Sequence, residues 1–288
     1  MVILNGVSVG EVESFIELGL QKTIIANTQN YGVSDIPGMQ QQIAALPKGG
    51  LTMNQNYGVP AEQLIAAKPD LVVSPYAGGF DSKSGFATRE ELAKLGIRTI
   101  VTPANCANGN PEATAAEKQF YNKAGVTTSF DFLNLLGRIF DVPDKAASVV
   151  SGEKATLARV AKAVAPDKDV RGLIAGPGAT PDAPYVWTGG VFDDVLRRAG
   201  VTNAFAGQPR EATISAEQLA KADVGILVLF VDGSVDAPSA AARIFAEHPL
   251  WAASKAKRYV VVHDGMYFGP AAVDGVEKVA RAAHPDAF

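Results

Sequence analysis

The sequence predicts an α/β protein of two lobes, each built on a mainly parallel sheet and joined by a single long helix. Three observations carry this expectation. Short apolar runs alternate with helical patterns in both halves of the chain, and strands alternating with helices form parallel sheets covered on both faces. A stretch between about 127 and 166 is helical in period and carries no strand signal. At 288 residues the chain is about twice an ordinary domain.

Taken in order, VILN (2–5) reads as a first buried strand, followed by a helix in EVESFIELGL and a second strand in TIIA (23–26) that runs into a loop. AEQLIAA leads as a helix into DLVVSP (70–75), and REELAKLG into RTIVTP. TTSFDFLNLLGRIF is one helical pattern. Pro143 and Asp144 open a second, in which Ala146, Val149, Val150, Leu157, Val160, Ala161 and Val164 keep three-and-four spacing. No proline interrupts it, so residues 144–165 are expected to form one continuous helix; 22 residues at 1.5 Å rise give about 33 Å, long enough to join two lobes. In the second half RGLIAG (171–176), VFDDVLRRAG, ISAEQLAKA, GILVLF (225–230) and RYVVVH (258–263) read as strand, helix, helix, strand, strand. The lobes are placed at 1–126 and 168–288, with 127–167 as helical linker.

The two halves also match each other. GVPAEQLIAAKPDLVVSP (58–75) and TISAEQLAKADVGILVLF (213–230) agree at six of 18 positions, four of them the contiguous AEQL, and RTIVT (98–102) echoes RYVVV (258–262). Duplicated lobes facing each other across a cleft are the simplest account, and such clefts bind small molecules. Ser215 is placed to cap the second copy's helix, where Pro60 stands in the first. Glu62 and Glu217 fall in the first turns of these helices, at equivalent surfaces of the two lobes.

Composition excludes several functions. A net charge of −4 leaves no basic stripe for nucleic acid. One cysteine, Cys106, and three scattered histidines make neither an internal disulfide nor a Cys/His zinc cluster. His263, alone at a strand end, reads as a polar loop residue, and free zinc or manganese lacks a converging ligand set. GPG (176–178) opens no helix and so fails as a dinucleotide loop, and no Ser/His/Asp arrangement or nucleophile elbow is visible. The chain reads as a monomer that is not an enzyme and needs no cofactor. Because VILNG is already core strand, the chain begins close to the fold, as an exported protein lacking its leader would.

With these segments in view, the chain resembles the helical-backbone (class III) substrate-binding proteins of ABC importers for ferric siderophores, haem and cobalamin. EVESFIELGL, AEQLIAAKPDLVVSP, ELAKLGIRTIVT, FDDVLRRAGVTNAFAG, ISAEQLAKADVGILVLF and HPLWAASKAKRYVVV carry the resemblance in the family's order. Ala222 to Gly225 departs from it, standing where many relatives have Asp-Pro-Asp. The resemblance implies two Rossmann-like lobes joined by one backbone helix, extracytoplasmic residence with a leader and lipid anchor, and a small metal chelate delivered to ABC permease subunits. It also implies that Glu62 and Glu217 dock to arginines of the permease. A ferric siderophore is the expected cargo. Haem or cobalamin is the alternative within the family, and a cytosolic α/β enzyme using the cleft is the alternative outside it.

Ligands of open α/β sheets sit beyond the carboxyl ends of the strands. The candidate loops are therefore Asn27–Tyr31, Asn54–Tyr57, YAGGFDSK (76–83) and PANCANGN (103–110) in one lobe. In the other they hold Trp187, Phe205 with Arg210, Phe230 with Asp232, and HDGMYF (263–268). QNYG occurs at 29–32 and again at 55–58. The expected contacts are Tyr31, Tyr57, Tyr76, Trp187, Arg210, Phe230 and Tyr267, since Tyr and Trp join broad apolar faces to a hydrogen-bonding tip. These loops carry few cations, chiefly Lys83 and Arg210, so a neutral or weakly charged chelate suits them better than a triply anionic catecholate complex.

Overall fold

The structure is a computed structural model that describes residues 1–29, 32–164, 169–180, 183–210 and 212–288, with Ala179, Thr180 and Ala183 described by their backbone alone. The chain divides into two compact units, residues 1–121 with 127–150 and residues 122–126 with 151–288.

The first unit carries β1 (Val2–Leu4), α1 (Gly10–Glu17), β2 (Ile24–Asn27), α2 (Met39–Ala44), α3 (Ala61–Ala66), β3 (Leu71–Ser74), α4 (Arg89–Lys94) and β4 (Arg98–Val101). Its sheet has the order β2-β1-β3-β4 with every pairing parallel. α1 forms because Val12, Phe15 and Ile16 make one apolar face, and Glu11 and Glu13 sit in the first turn beside the positive helix end. Gly19, at φ 74°, stops it, with the Leu20 N–H donating to the Phe15 carbonyl at 2.8 Å. α4 is started by a reciprocal capping box between Thr88 and Glu91. Ile3, Val72, Leu64, Leu92 and Val101 form a core on one side of this sheet.

α5 (Ala115–Lys123), α6 (Ser129–Ile139) and α7 (Pro143–Val164) follow. α7 is one unbroken helix of 22 residues, shifted by a single residue from expectation, and it supplies residues to both units. Proline is well suited to the first helical position, where its missing N–H is not needed.

The second unit carries β5 (Val170–Thr180), β6 (Ala183–Trp187), α8 (Gly190–Arg198), β7 (Val201–Asn203), α9 (Ala216–Lys221), β8 (Ile226–Phe230), α10 (Ala237–Glu247), α11 (Ala252–Ala256), β9 (Tyr259–Val262) and α12 (Ala271–Ala283). β5 pairs in parallel with β7 and β8, and β8 with β9. The path β7-β5-β8-β9 thus repeats β2-β1-β3-β4, with α8, α9 and α10 standing where α1, α3 and α4 stand. The duplication read from AEQL extends to the whole topology: α3 and α9 are six-residue helices with Leu64 and Leu219 buried, each feeding the strand beside the first. Ser215 caps α9 in a box with Gln218, and Pro60 precedes α3. Among the described residues the second unit lacks a counterpart of α2, adds α11 before β9 and α12 after it, and adds β6, which turns back antiparallel on β5. GPG (176–178), which opens no helix, lies within β5.

Candidate functional site

In each sheet the strand order reverses beside the first strand, between β1 and β3 and between β5 and β8. Chain crossovers leave in opposite directions from such a point, so a crevice opens outside the carboxyl ends of those strands. In the second unit this places the β5–β6 hairpin and the end of β8 together.

Phe230 is the last residue of β8 and Trp187 the last of β6, and their rings meet edge to face with centroids 5.0 Å apart. Tyr267 lies 5.8 Å from Phe230 and 5.5 Å from the buried Phe192 of α8, both T-shaped. Tyr185 adds an outer ring 6.4 Å from Trp187. The Arg210 guanidinium lies over Phe192 at 5.3 Å and over Phe268 at 5.2 Å. Four residues expected from the sequence, Trp187, Arg210, Phe230 and Tyr267, are thereby joined in one continuous array. Edge-to-face pairs are worth about 0.5–1.5 kcal/mol each beyond their buried area, so the array is preorganised rather than loose.

The backbone is shaped for it. A Cβ on Gly176 would stand 2.8 Å from the Phe230 carbonyl oxygen and 3.1 Å from the Trp187 ring, so glycine lets the indole lie down on β5. Gly189 has φ 70°, and a Cβ there would meet the Arg210 backbone nitrogen at 2.7 Å. The Thr188 hydroxyl donates to the Pro209 carbonyl at 2.8 Å, fixing the loop that carries Arg210. His263 stays with the scaffold: its Nδ1 is 2.6 Å from the Val231 carbonyl oxygen. Among the described residues no group of three or more His, Cys, Asp or Glu converges on a metal-sized site.

In the first unit Tyr76 follows β3 at the point where the order reverses. It is half-buried, and burial, reinforced by the nearby Asp81 carboxylate, pushes its hydroxyl above the ordinary phenol pKa. Gly78 and Gly109 allow the ring and two backbone segments to stack, since a Cβ on Gly78 would meet the ring at 2.5 Å and one on Gly109 would meet the Gly78 Cα at 2.7 Å. Tyr57 lies in the crossover before α3, at φ 61° and 53% exposed. Tyr31 lies outside the described residues. Lys83 is exposed, on a short turn whose Asp81 carboxylate accepts the Lys83 N–H at 3.0 Å. The amides of Asn27 and Gln29 are engaged within the fold: Gln29 donates to the Asn5 carbonyl at 3.2 Å and accepts from the Val12 N–H at 3.0 Å. Burial raises the Cys106 thiol pKa.

Phe192, Phe268 and Tyr185 belong to the array and are not among the expected contacts, although Phe268 ends the candidate loop 263–268. Tyr185 was legible, because Tyr185 and Trp187 are two apart and share a strand face.

Glu62 and Glu217 are both exposed in the first turns of α3 and α9, and Lys221 reaches Glu217 at 2.6 Å.

A family model described as periplasmic binding protein matches residues 7–263, and the chain belongs to that family. Solved structures agree in fold. A periplasmic binding protein from Veillonella parvula matches at a TM-score of 0.79 and 18% identity, over 99% of this chain and 90% of that one. An ABC-type Fe3+-hydroxamate transport system from Saccharomonospora viridis matches at 0.69 and 23%, over 98% and 92%. A periplasmic heme binding protein from Pseudomonas aeruginosa matches at 0.67 and 22%, over 99% and 92%. No curated protein matches in sequence. Among the described residues no helix is long and apolar enough to cross a membrane.

Proposed function

We propose that this chain is the extracytoplasmic ligand-capturing component of an ABC importer and that its cargo is a ferric siderophore of the hydroxamate type. The observation that carries the reading is the ring array of Trp187, Phe230 and Tyr267 at the point where the second sheet's order reverses. Such a surface suits a chelate with an apolar rim and a few polar oxygens. Charge narrows the class. Arg210 is the cation beside the rings and Lys83 the one in the Tyr76 loop, whereas a triply anionic catecholate complex needs several cations to offset its desolvation. The Fe3+-hydroxamate protein from Saccharomonospora viridis shares this fold, as the choice requires. Residues 1–126 and 168–288 are assigned as the ligand lobes and 127–167 as their linker. Tyr31, Tyr57 and Tyr76 are assigned to the first lobe's contacts, and Glu62 and Glu217 to the permease.

Fluorescence titration tests this directly, because the two tryptophans differ. Trp251 is buried, donates to the Leu219 carbonyl at 2.9 Å and stacks on His248, so quenching by a bound chelate reports Trp187. Ferric hydroxamates are expected to quench, and Trp187→Phe to abolish the signal. Tight binding of ferric catecholates with none of hydroxamates overturns the assignment, and so does exclusive binding of haem or cobalamin.

A further inference from the structure

We infer that Tyr185 is a specificity-determining residue, selecting chelates by the length of their apolar flank; this rests on the reading of the ring array as the chelate's surface. The last β5–β8 pair is Ala175 with Leu229, but β5–β6 pairing continues through Gly176 with Tyr185 to Thr180 with Ala183. The hairpin therefore runs on after the rest of the sheet has ended. Successive strand residues face opposite ways. Val186 turns inward onto the core of Leu173, Ala175 and Leu227, which puts Tyr185 and Trp187 together on the other face.

Rings along this face grade from buried to open. Phe192 is fully buried, Trp187, Phe230 and Tyr267 are half-buried, and Tyr185 is 61% exposed. Gly176, directly opposite Tyr185, supplies no side chain to cover it. Gly176 thus acquires a role: it clears the backbone so that the indole can settle and the outer ring remains open. A compact chelate seated on Trp187 and Phe230 ends before Tyr185. One bearing an aromatic or long acyl flank covers it.

Tyrosine also favours strands by propensity alone, so the test keeps that property and removes the ring. Tyr185→Thr and Tyr185→Phe are compared with the unaltered protein by calorimetry, using one compact ferric trihydroxamate and one with the same iron-binding core and aromatic flanks. Tyr185→Thr is expected to weaken the flanked chelate by about tenfold, a loss in the range of ring–ring contacts, and the compact one by less than about twofold. Tyr185→Phe is expected to keep both affinities. Equal losses for the two chelates, or none for either, overturn the inference while the importer reading stands. Failure of the unaltered protein to bind either chelate overturns both.

Discussion

Asp194 shows how one carboxylate fastens a chain segment. It is largely buried, which raises its pKa. The hydrogen bond and charge of Arg198, the Val126 N–H at 2.9 Å and Arg197 outweigh that and hold the carboxyl below its ordinary value. A group depressed in the folded state contributes stability above its unfolded pKa of about 3.9 and loses it as the pH falls through the folded value. Asp194→Ala should lower stability at neutral pH by about 1–3 kcal/mol, the cost of leaving a buried donor unsatisfied. Urea unfolding checks this, and the gap between variant and unaltered protein should narrow below about pH 4. Gly176 provides the packing counterpart. A valine there meets a carbonyl oxygen that cannot rotate away, and overpacking of this kind costs about 1–3 kcal/mol; the near-ultraviolet circular dichroism of Trp187 should change with it. Residues of the array were legible where aromatic type and strand ends coincide, as at Trp187 and Phe230. The polar loops were less so, because an amide reads the same whether it awaits a ligand or, like Gln29, is satisfied by Asn5 and Val12.

α7 carries an element-level prediction because its continuity tolerates Gly152. That residue is exposed in the helix interior, and a Cβ there meets nothing within 4 Å. Gly152→Ala should therefore stabilise the protein by about 0.5–1 kcal/mol through reduced freedom of the unfolded chain, visible as a raised midpoint in urea. The converse change, Ala155→Pro at an exposed position of the same helix, should cost about 3 kcal/mol by removing one helical hydrogen bond and crowding another turn. Elements with several periods of pattern, such as α7 and the buried runs of β3 and β8, were legible in the sequence. β7 was not, since three residues are too few to show alternation. β6 was hidden because ATPDAP breaks the strand pattern in the sequence, although Tyr185 and Trp187 keep strand spacing. α12 is absent from the sequence-derived order despite a stripe of Val273, Val276, Val279 and Ala283, all buried in the structure.

Repetition of one topology in both units gives a docking hypothesis its physical basis. A permease made of two equivalent subunits presents the same receptor twice, so its cargo protein needs equivalent charges on its two units. Glu62 and Glu217 meet that demand: each stands second in a six-residue helix, between topologically equivalent strands, with its carboxylate exposed. They are not wholly alike, because Lys221 lies 2.6 Å from Glu217 on the same helix, and under this hypothesis a permease arginine would have to displace it. Exposed pairs of this kind are worth about 0.3–0.5 kcal/mol, a small barrier to exchange. Electrostatic contacts of the exposed type act mainly on orientation and rate of encounter, with larger effects where the interface excludes water. Replacing both glutamates by alanine should leave chelate affinity and the unfolding midpoint nearly unchanged and reduce uptake in cells or reconstituted vesicles, while Lys221→Ala should leave uptake intact. Normal uptake by the double variant would mean that both carboxylates serve only their helix starts.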